Sequence, residues 1–293
     1  MKKENFSRVF LFLLGVQLLA VFFSYNFLSA KVEVPPYEPF GNETVAQAGL
    51  NAISLVFPVI LFTLVLIILL RFLGFKFLTY ILSILPLGIA ILINPTFIFT
   101  TVSNYLPNIA NPVALISTAI LAFAIFYSTI KHIHWISSVS TFIISAEVGT
   151  LLALMLQPPT LFLVPLVFAI YDIYAVFAGP LKTFISELTK SRFPNIKKPG
   201  VKKVRQSINL GVLTANIGGV TIGTGDLVFY SLITAAAFAI KGVVAVVATL
   251  IAVNVGVALT FLILKKYKKV LPGLPLPIFL GIITLVVLNY VFF

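Results

Sequence analysis

GVLTANIGGVTIGTGDLVFYSLITAAAFAI, residues 211–240, is the stretch on which the fold turns. Its thirty residues carry one charge, Asp226, and at ~1.5 Å per helical residue they outreach a hydrocarbon core of ~30 Å. An apolar run of that length points to a membrane span, and a lone acid within it demands an explanation. Gly211, Gly218, Gly219, Gly223 and Gly225 loosen the half that precedes Asp226. Irregular backbone at membrane depth is tolerated only where protein or water satisfies its polar groups, so this half is expected to border a cavity.

Comparable runs recur on both sides of it. The spans read as 8–29, 48–70, 75–94, 110–130, 135–156, 159–181, 211–240, 242–264 and 274–293, about nine in all, the third interrupted by Pro86 and Pro95. Of the 293 residues 60% are hydrophobic and 10% charged, which excludes an ordinary soluble fold. The expected class is an all-α polytopic membrane protein, one membrane domain over 1–293. Helices one to six occupy about 8–181, a basic inner loop 182–208, and helices seven to nine about 211–293. The apolar run from Phe10 to Leu28 is too long for a signal-peptide core and lacks a small-residue cleavage site, so it is kept as a helix. No internal repeat is visible, which weighs against a duplicated transporter architecture. Cysteine is absent, removing disulfides, thiolate metal sites and cysteine catalysis.

The formal charge of +12 is distributed by topology. With the N-terminus inside, 18 of the 20 basic residues fall on inner segments: Lys2, Lys3, Arg8, Arg71, Lys76, Lys131, the eight from Lys182 to Arg205, Lys265, Lys266, Lys268 and Lys269. Lys31 and Lys241 fall outside, and Glu33, Glu38 and Glu43 mark the first outer loop. The positive-inside rule therefore places the N-terminus and the 182–208 loop on the cytoplasmic side and the C-terminus outside, and no nucleic-acid partner is needed to explain the charge. Attraction of 197–205 to anionic headgroups is a secondary reading. Trp135, beside His132 and His134, reads as an interfacial anchor rather than part of a metal site, and Asn42-Glu43-Thr44 is a glycosylation sequon on the outer side.

Three acids lie within spans: Glu147, Asp172 and Asp226. A charged side chain at the bilayer centre costs ~2.5–3.5 kcal/mol on insertion scales, so each needs a role. Asp172 lies nine residues before Leu181, a depth of ~13 Å from the inner side. A seventh helix beginning near Ile217 would bring Asp226 to a similar depth from the same side. Two facing carboxyls in a low-dielectric site are expected to share a proton, the state that aspartic proteolysis uses. One carboxylate takes a proton from the attacking water while the protonated partner donates to the scissile carbonyl, with no metal and no cofactor. From burial alone, interhelical hydrogen bonding or a proton or cation pathway explains the acids equally well.

The surrounding residues break that tie. Tyr171-Asp172-Ile173-Tyr174-Ala175-Val176 with Gly179-Pro180-Leu181 resembles the sixth-helix motif of the presenilin and signal peptide peptidase family. Gly223-Thr224-Gly225-Asp226-Leu227-Val228-Phe229-Tyr230 resembles its seventh-helix GxGD motif. Lys268-Lys269-Val270-Leu271-Pro272-Gly273-Leu274-Pro275 resembles its third signature, Pro-Ala-Leu, with glycine in place of alanine. The likeness is one of motifs over roughly 165–280 together with the helix count, and it points to a single-chain homologue of prokaryotic type. It implies an intramembrane aspartyl protease with Asp172 and Asp226 as the catalytic pair, acting on transmembrane helical substrates within the bilayer.

Gly223 and Gly225, lacking a Cβ, are expected to let a helix or an extended substrate approach Asp226. Pro272, Gly273, Leu274 and Pro275 are expected to form a stiff extended segment at the inner mouth, suited to pairing with an unwound substrate. Tyr171 points about 100° away from Asp172 and is expected to line the cleft. Glu147 matches no signature and is expected to make an interhelical hydrogen bond.

The inner loop is much shorter than the presenilin loop that is cut autocatalytically, so activity without prior cleavage is expected; accessory subunits are, separately, expected not to be required. Presenilins and signal peptide peptidases insert in opposite orientations. The charge pattern matches the presenilin one, whose substrates have their C-terminus inside. Two competing readings are a proton- or cation-coupled transporter or channel, and the preflagellin and prepilin peptidases. The latter share GxGD but have fewer helices and different flanking residues.

Overall fold

The computed structural model describes residues 3–41, 44–131, 133–177, 211–267 and 272–291. The basic 182–208 loop, Gly179-Pro180-Leu181, Lys268 to Leu271, His132 and the Asn42-Glu43 pair of the sequon lie outside the described residues. The chain runs through α1 (Lys3–Ser29), α2 (Val45–Ser103), α3 (Ala110–Lys131), α4 (His134–Met155) and α5 (Thr160–Phe177). It continues with a hairpin of β1 (Thr214–Ile217) and β2 (Val220–Gly223), then α6 (Thr224–Tyr267) and α7 (Pro275–Val291).

Seven helical segments among the described residues are long and apolar enough to cross a membrane, and a shorter apolar helix covers Pro275–Asn289. The 41-residue segment Thr224–Leu264 is broken at Gly242, whose φ of 70° lies in the left-handed region that glycine enters without penalty. With that division the described residues carry nine apolar segments, in accord with the expected number.

Two expectations are corrected. The spans read as 48–70 and 75–94 belong to one helix, α2, of 59 residues, with Pro58, Pro86 and Pro95 inside it and apolar windows at Val45–Leu66 and Ile84–Ser103. Prolines are tolerated within membrane helices where neighbouring helices, hydroxyl side chains or water satisfy the carbonyls they free. The second correction lies at residues 211–223, read as helical and found as a short 3-10 turn followed by an antiparallel hairpin, so the fold is mostly, not wholly, α. Gly218 and Gly219 take φ of 58° and 79°, the pair of positive values that a tight two-residue hairpin turn requires. The β-branched residues Thr214, Ile217, Val220, Thr221 and Ile222 favour the flanking strands.

The core forms around the first half of α6, where Leu227, Leu232, Ile233, Ala235, Ala236 and Ala237 are buried. Small residues let the helices close. A Cβ at Gly149 of α4 would stand 2.6 Å from the Val228 carbonyl oxygen, and one at Gly256 of α6 would stand 2.5 Å from Pro277 Cα on α7. Since lipid offers no hydrophobic drive between helices, such approach and interhelical polar contacts carry the packing. Thr150 donates to the Ala20 carbonyl at 3.0 Å, joining α4 to α1, and the side-chain amide of Asn254 donates to Gln17 Oε1 at 3.3 Å, joining α6 to α1. The opposite surfaces of α2 and α3 expose Phe57, Leu92, Leu115, Ile120 and Phe123, the composition a lipid-facing side requires.

Candidate active site

The hairpin determines where Asp226 sits. Thr141 and Thr224 both donate to the Val212 carbonyl, at 2.8 and 2.7 Å, so α4 and the start of α6 grip the same 3-10 turn. Ser138 accepts from the Asn216 N–H at 3.1 Å and fastens β1 to α4. The hairpin then delivers the chain into α6 with Gly223 as the cap residue before Thr224. Asp226 therefore lies in the first turn of α6, and not nine residues into a helix starting near Ile217 as expected.

At this third helical position an acid reaches back to the backbone of the cap residue, and the Asp226 carboxylate is hydrogen-bonded by the Gly223 backbone. Asp172 stands on α5, five residues before its last described residue, Phe177. Its Oδ2 accepts the N–H of Leu274 at 3.1 Å. Leu274 is itself a cap: its carbonyl accepts from Ile278 N at 3.0 Å, the first intrahelical bond of α7, and Pro275 fills the first helical position, where its missing N–H costs nothing. Each aspartate thus stands at the start of a helix, Asp226 against the Gly223 backbone before α6 and Asp172 on the Leu274 N–H before α7. The positive ends of two helix dipoles converge on the pair.

Asp172 stands near enough to Asp226 for its charge to act on that carboxyl. Gly273 fits between: a Cβ there would stand 2.6 Å from Asp226 Oδ2 and 3.1 Å from Cγ, so the absent side chain is what lets the backbone lie against the carboxylate. Five of the expected site residues, Asp172, Asp226, Gly223, Gly273 and Leu274, therefore come together, although 102 residues separate Asp172 from Leu274.

The others play different parts. Pro272 precedes this segment and is half-buried. Gly225 is exposed, with no heavy atom within 4 Å of where its Cβ would be, so the ground beside Asp226 is open there. Tyr171 is half-buried on α5. Glu147 lies elsewhere: Asn94 of α2 donates to its Oε1 and Thr118 of α3 donates to Asn94 Oδ1 at 2.9 Å, the interhelical bonding expected of it, extended to a third helix.

Sequence reasoning gave no separate role to Tyr230. It is buried, and its hydroxyl donates to the Gly273 carbonyl at 2.9 Å. The signal was its place four residues after Asp226, on the same helix face, together with the need of a buried phenol for a partner.

Residues 197–292 match the presenilin family model. Presenilin-B of Dictyostelium discoideum is 37% identical over 126 residues, 42% of this chain and 24% of that protein. A presenilin-like protein of Arabidopsis thaliana is 34% identical over 73 residues, 25% of this chain and 18% of the other. The matches thus span about a quarter or less of these relatives' length. A solved presenilin family intramembrane aspartate protease in space group C222 superposes with a TM-score of 0.60 at 18% identity, covering 95% of this chain and 96% of that one. The same description in space group P2 gives 0.60 at 17% identity and the same coverage. That likeness is one of fold, and it extends over α1 to α4, where the sequence motifs are silent.

Proposed function

We propose that this chain, which has the fold of the presenilin-family intramembrane aspartate proteases and matches the presenilin family over residues 197–292, is itself an intramembrane aspartyl protease with Asp172 and Asp226 as its catalytic pair. The observation that carries the reading is the meeting of the two acids, from different helices, across the Gly273-Leu274 backbone. A pair sharing one proton has both halves of the chemistry. The ionised carboxylate accepts a proton from water as its oxygen attacks the peptide carbon, and the protonated one donates to the carbonyl oxygen as that gains charge. Proton return to the departing amine then cleaves the bond and restores the pair.

The substrate is a transmembrane segment locally unwound, because a helical peptide buries its scissile carbonyl in its own hydrogen bonds. Every second residue of β2 turns its backbone groups away from β1, and β2 runs straight into Gly223 and Asp226, so an extended segment added to that edge would lie beside the acids. Gly225 keeps the approach clear. Pro272 and Pro275 stiffen the facing wall, and Tyr171 lines the cleft.

The charge pattern supports a cytoplasmic N-terminus and 182–208 loop and an outer C-terminus, hence substrates whose C-terminus is inside. The test is reporter cleavage in liposomes. Asp172→Ala and Asp226→Ala should each abolish cleavage of a single-span reporter at unchanged expression, and a hydroxyl-containing transition-state isostere should compete with substrate. Substantial turnover by either variant removes the pair from the chemistry. Ion flux without peptide cleavage by the wild type would restore the transporter reading.

A further inference from the structure

Tyr230 and Asp172 hold opposite ends of one peptide group. The Gly273 carbonyl accepts the Tyr230 hydroxyl at 2.9 Å, and the N–H of the same peptide unit, on Leu274, donates to Asp172 Oδ2 at 3.1 Å. The C=O and N–H of a trans peptide point in opposite directions within a rigid plane, so the unit cannot turn without breaking both bonds. Its Gly273 end lies against the Asp226 carboxylate.

We infer that Tyr230 is a positioning residue of the proteolytic site, acting through the Gly273-Leu274 peptide to fix the orientation of Asp172 relative to Asp226; this deepens the protease reading and rests on it.

Three features carry the inference. Tyr230 stands one turn after Asp226 on α6, so a single rigid helix carries both one acid and the group that orients the other. Its hydroxyl is buried and commits its proton to the carbonyl, and a peptide whose carbonyl is so engaged is a better donor at its N–H. The segment it grips has weak local restraint of its own, since Gly273 tolerates wide backbone excursions and the prolines on either side supply no N–H. Without the phenol, the only side-chain hydrogen bond left to this peptide unit among the described residues is the one to the carboxylate it is meant to orient.

The test compares Tyr230→Phe with wild type in proteoliposomes, counting active sites by titration with the hydroxyl isostere so that kcat is expressed per competent molecule. Loss of the anchor should lower kcat by about 10- to 100-fold, the cost of a loosened reacting group, with KM changed less than about twofold. In the Asp226→Asn background, where no turnover is needed, Tyr230→Phe should also shift the infrared carboxyl band that Asp172→Asn removes. An unchanged kcat per titrated site, or an unshifted Asp172 band, overturns the inference while leaving the protease reading intact. A fall in activity accompanied by loss of the cooperative melt assigns Tyr230 to the fold alone and also overturns it. Absence of wild-type cleavage defeats the protease reading instead.

Discussion

Gly273 is where the chain departs from the Pro-Ala-Leu pattern that its third motif otherwise resembles, and the geometry gives the departure a meaning. An alanine methyl would stand 2.6 Å from Asp226 Oδ2, closer than a carbon and a carboxylate oxygen approach without displacement. The obstructing group is the end of a side chain, which can swing, so the fold has an escape and the catalytic geometry has none. Gly273→Ala should therefore melt close to wild type, within about 0.5 kcal/mol, while kcat falls by about tenfold or more as Asp226 is pushed out of register. Thermal melting in detergent with reporter kinetics on the same preparation checks both halves. Gly223 contrasts with it: a Cβ there would lie 3.7 Å from Asp226 Oδ2, an ordinary contact.

Among the elements, the hairpin contributes most to the site. It takes the place of a turn or more of helix, and its fastening to α4 through Ser138 and Thr141 sets where α6 begins. Removing both hydroxyls, in Ser138→Ala with Thr141→Ala, leaves the Asn216 N–H and the Val212 carbonyl each with one partner fewer. That should cost about 1–3 kcal/mol in all if those backbone groups find no replacement. Cleavage should fall more than stability does, because the loosened hairpin carries both the strand edge and the entry to Asp226. Hydrogen exchange localised to 214–223, with cleavage rates alongside, measures it; unchanged exchange there would show that the glycine turn alone holds the hairpin. At α4 and α6 the close approach rests on Gly149, whose missing Cβ would meet Ser231 and the backbone of Val228 and Leu232.

For the whole molecule, the testable property is sidedness. Eighteen of twenty basic residues on one set of segments make a strong orienting bias, and a reporter inserted in 182–208 should be read on the cytoplasmic side while one at the C-terminus is read outside. Protease protection of tagged protein in sealed vesicles distinguishes the two faces. The opposite result would invert the expected substrate class, while the chemistry proposed for Asp172 and Asp226 would stand unchanged.

What the amino-acid sequence determined unaided was the solvent and which acids need a role within it. Long apolar runs fit lipid alone, basic residues resist translocation, and Asp172 and Asp226 are too costly in a span to be incidental. The motif around each acid then pointed to a protease. Only the tertiary structure decided how the acids meet. The hairpin at 214–223 was hidden because its β-branched and glycine residues also compose a passable membrane helix, and the strand pairing together with the hydroxyls of Ser138, Thr141 and Thr224 satisfies that irregular backbone. The bridge from Tyr230 through the Gly273-Leu274 peptide to Asp172 joins three segments far apart in the chain, and its parts are individually ordinary. Periodicity records which face of a helix is buried; it carries no record of which backbone carbonyl a buried phenol will find, because that partner is supplied by the packing of another helix.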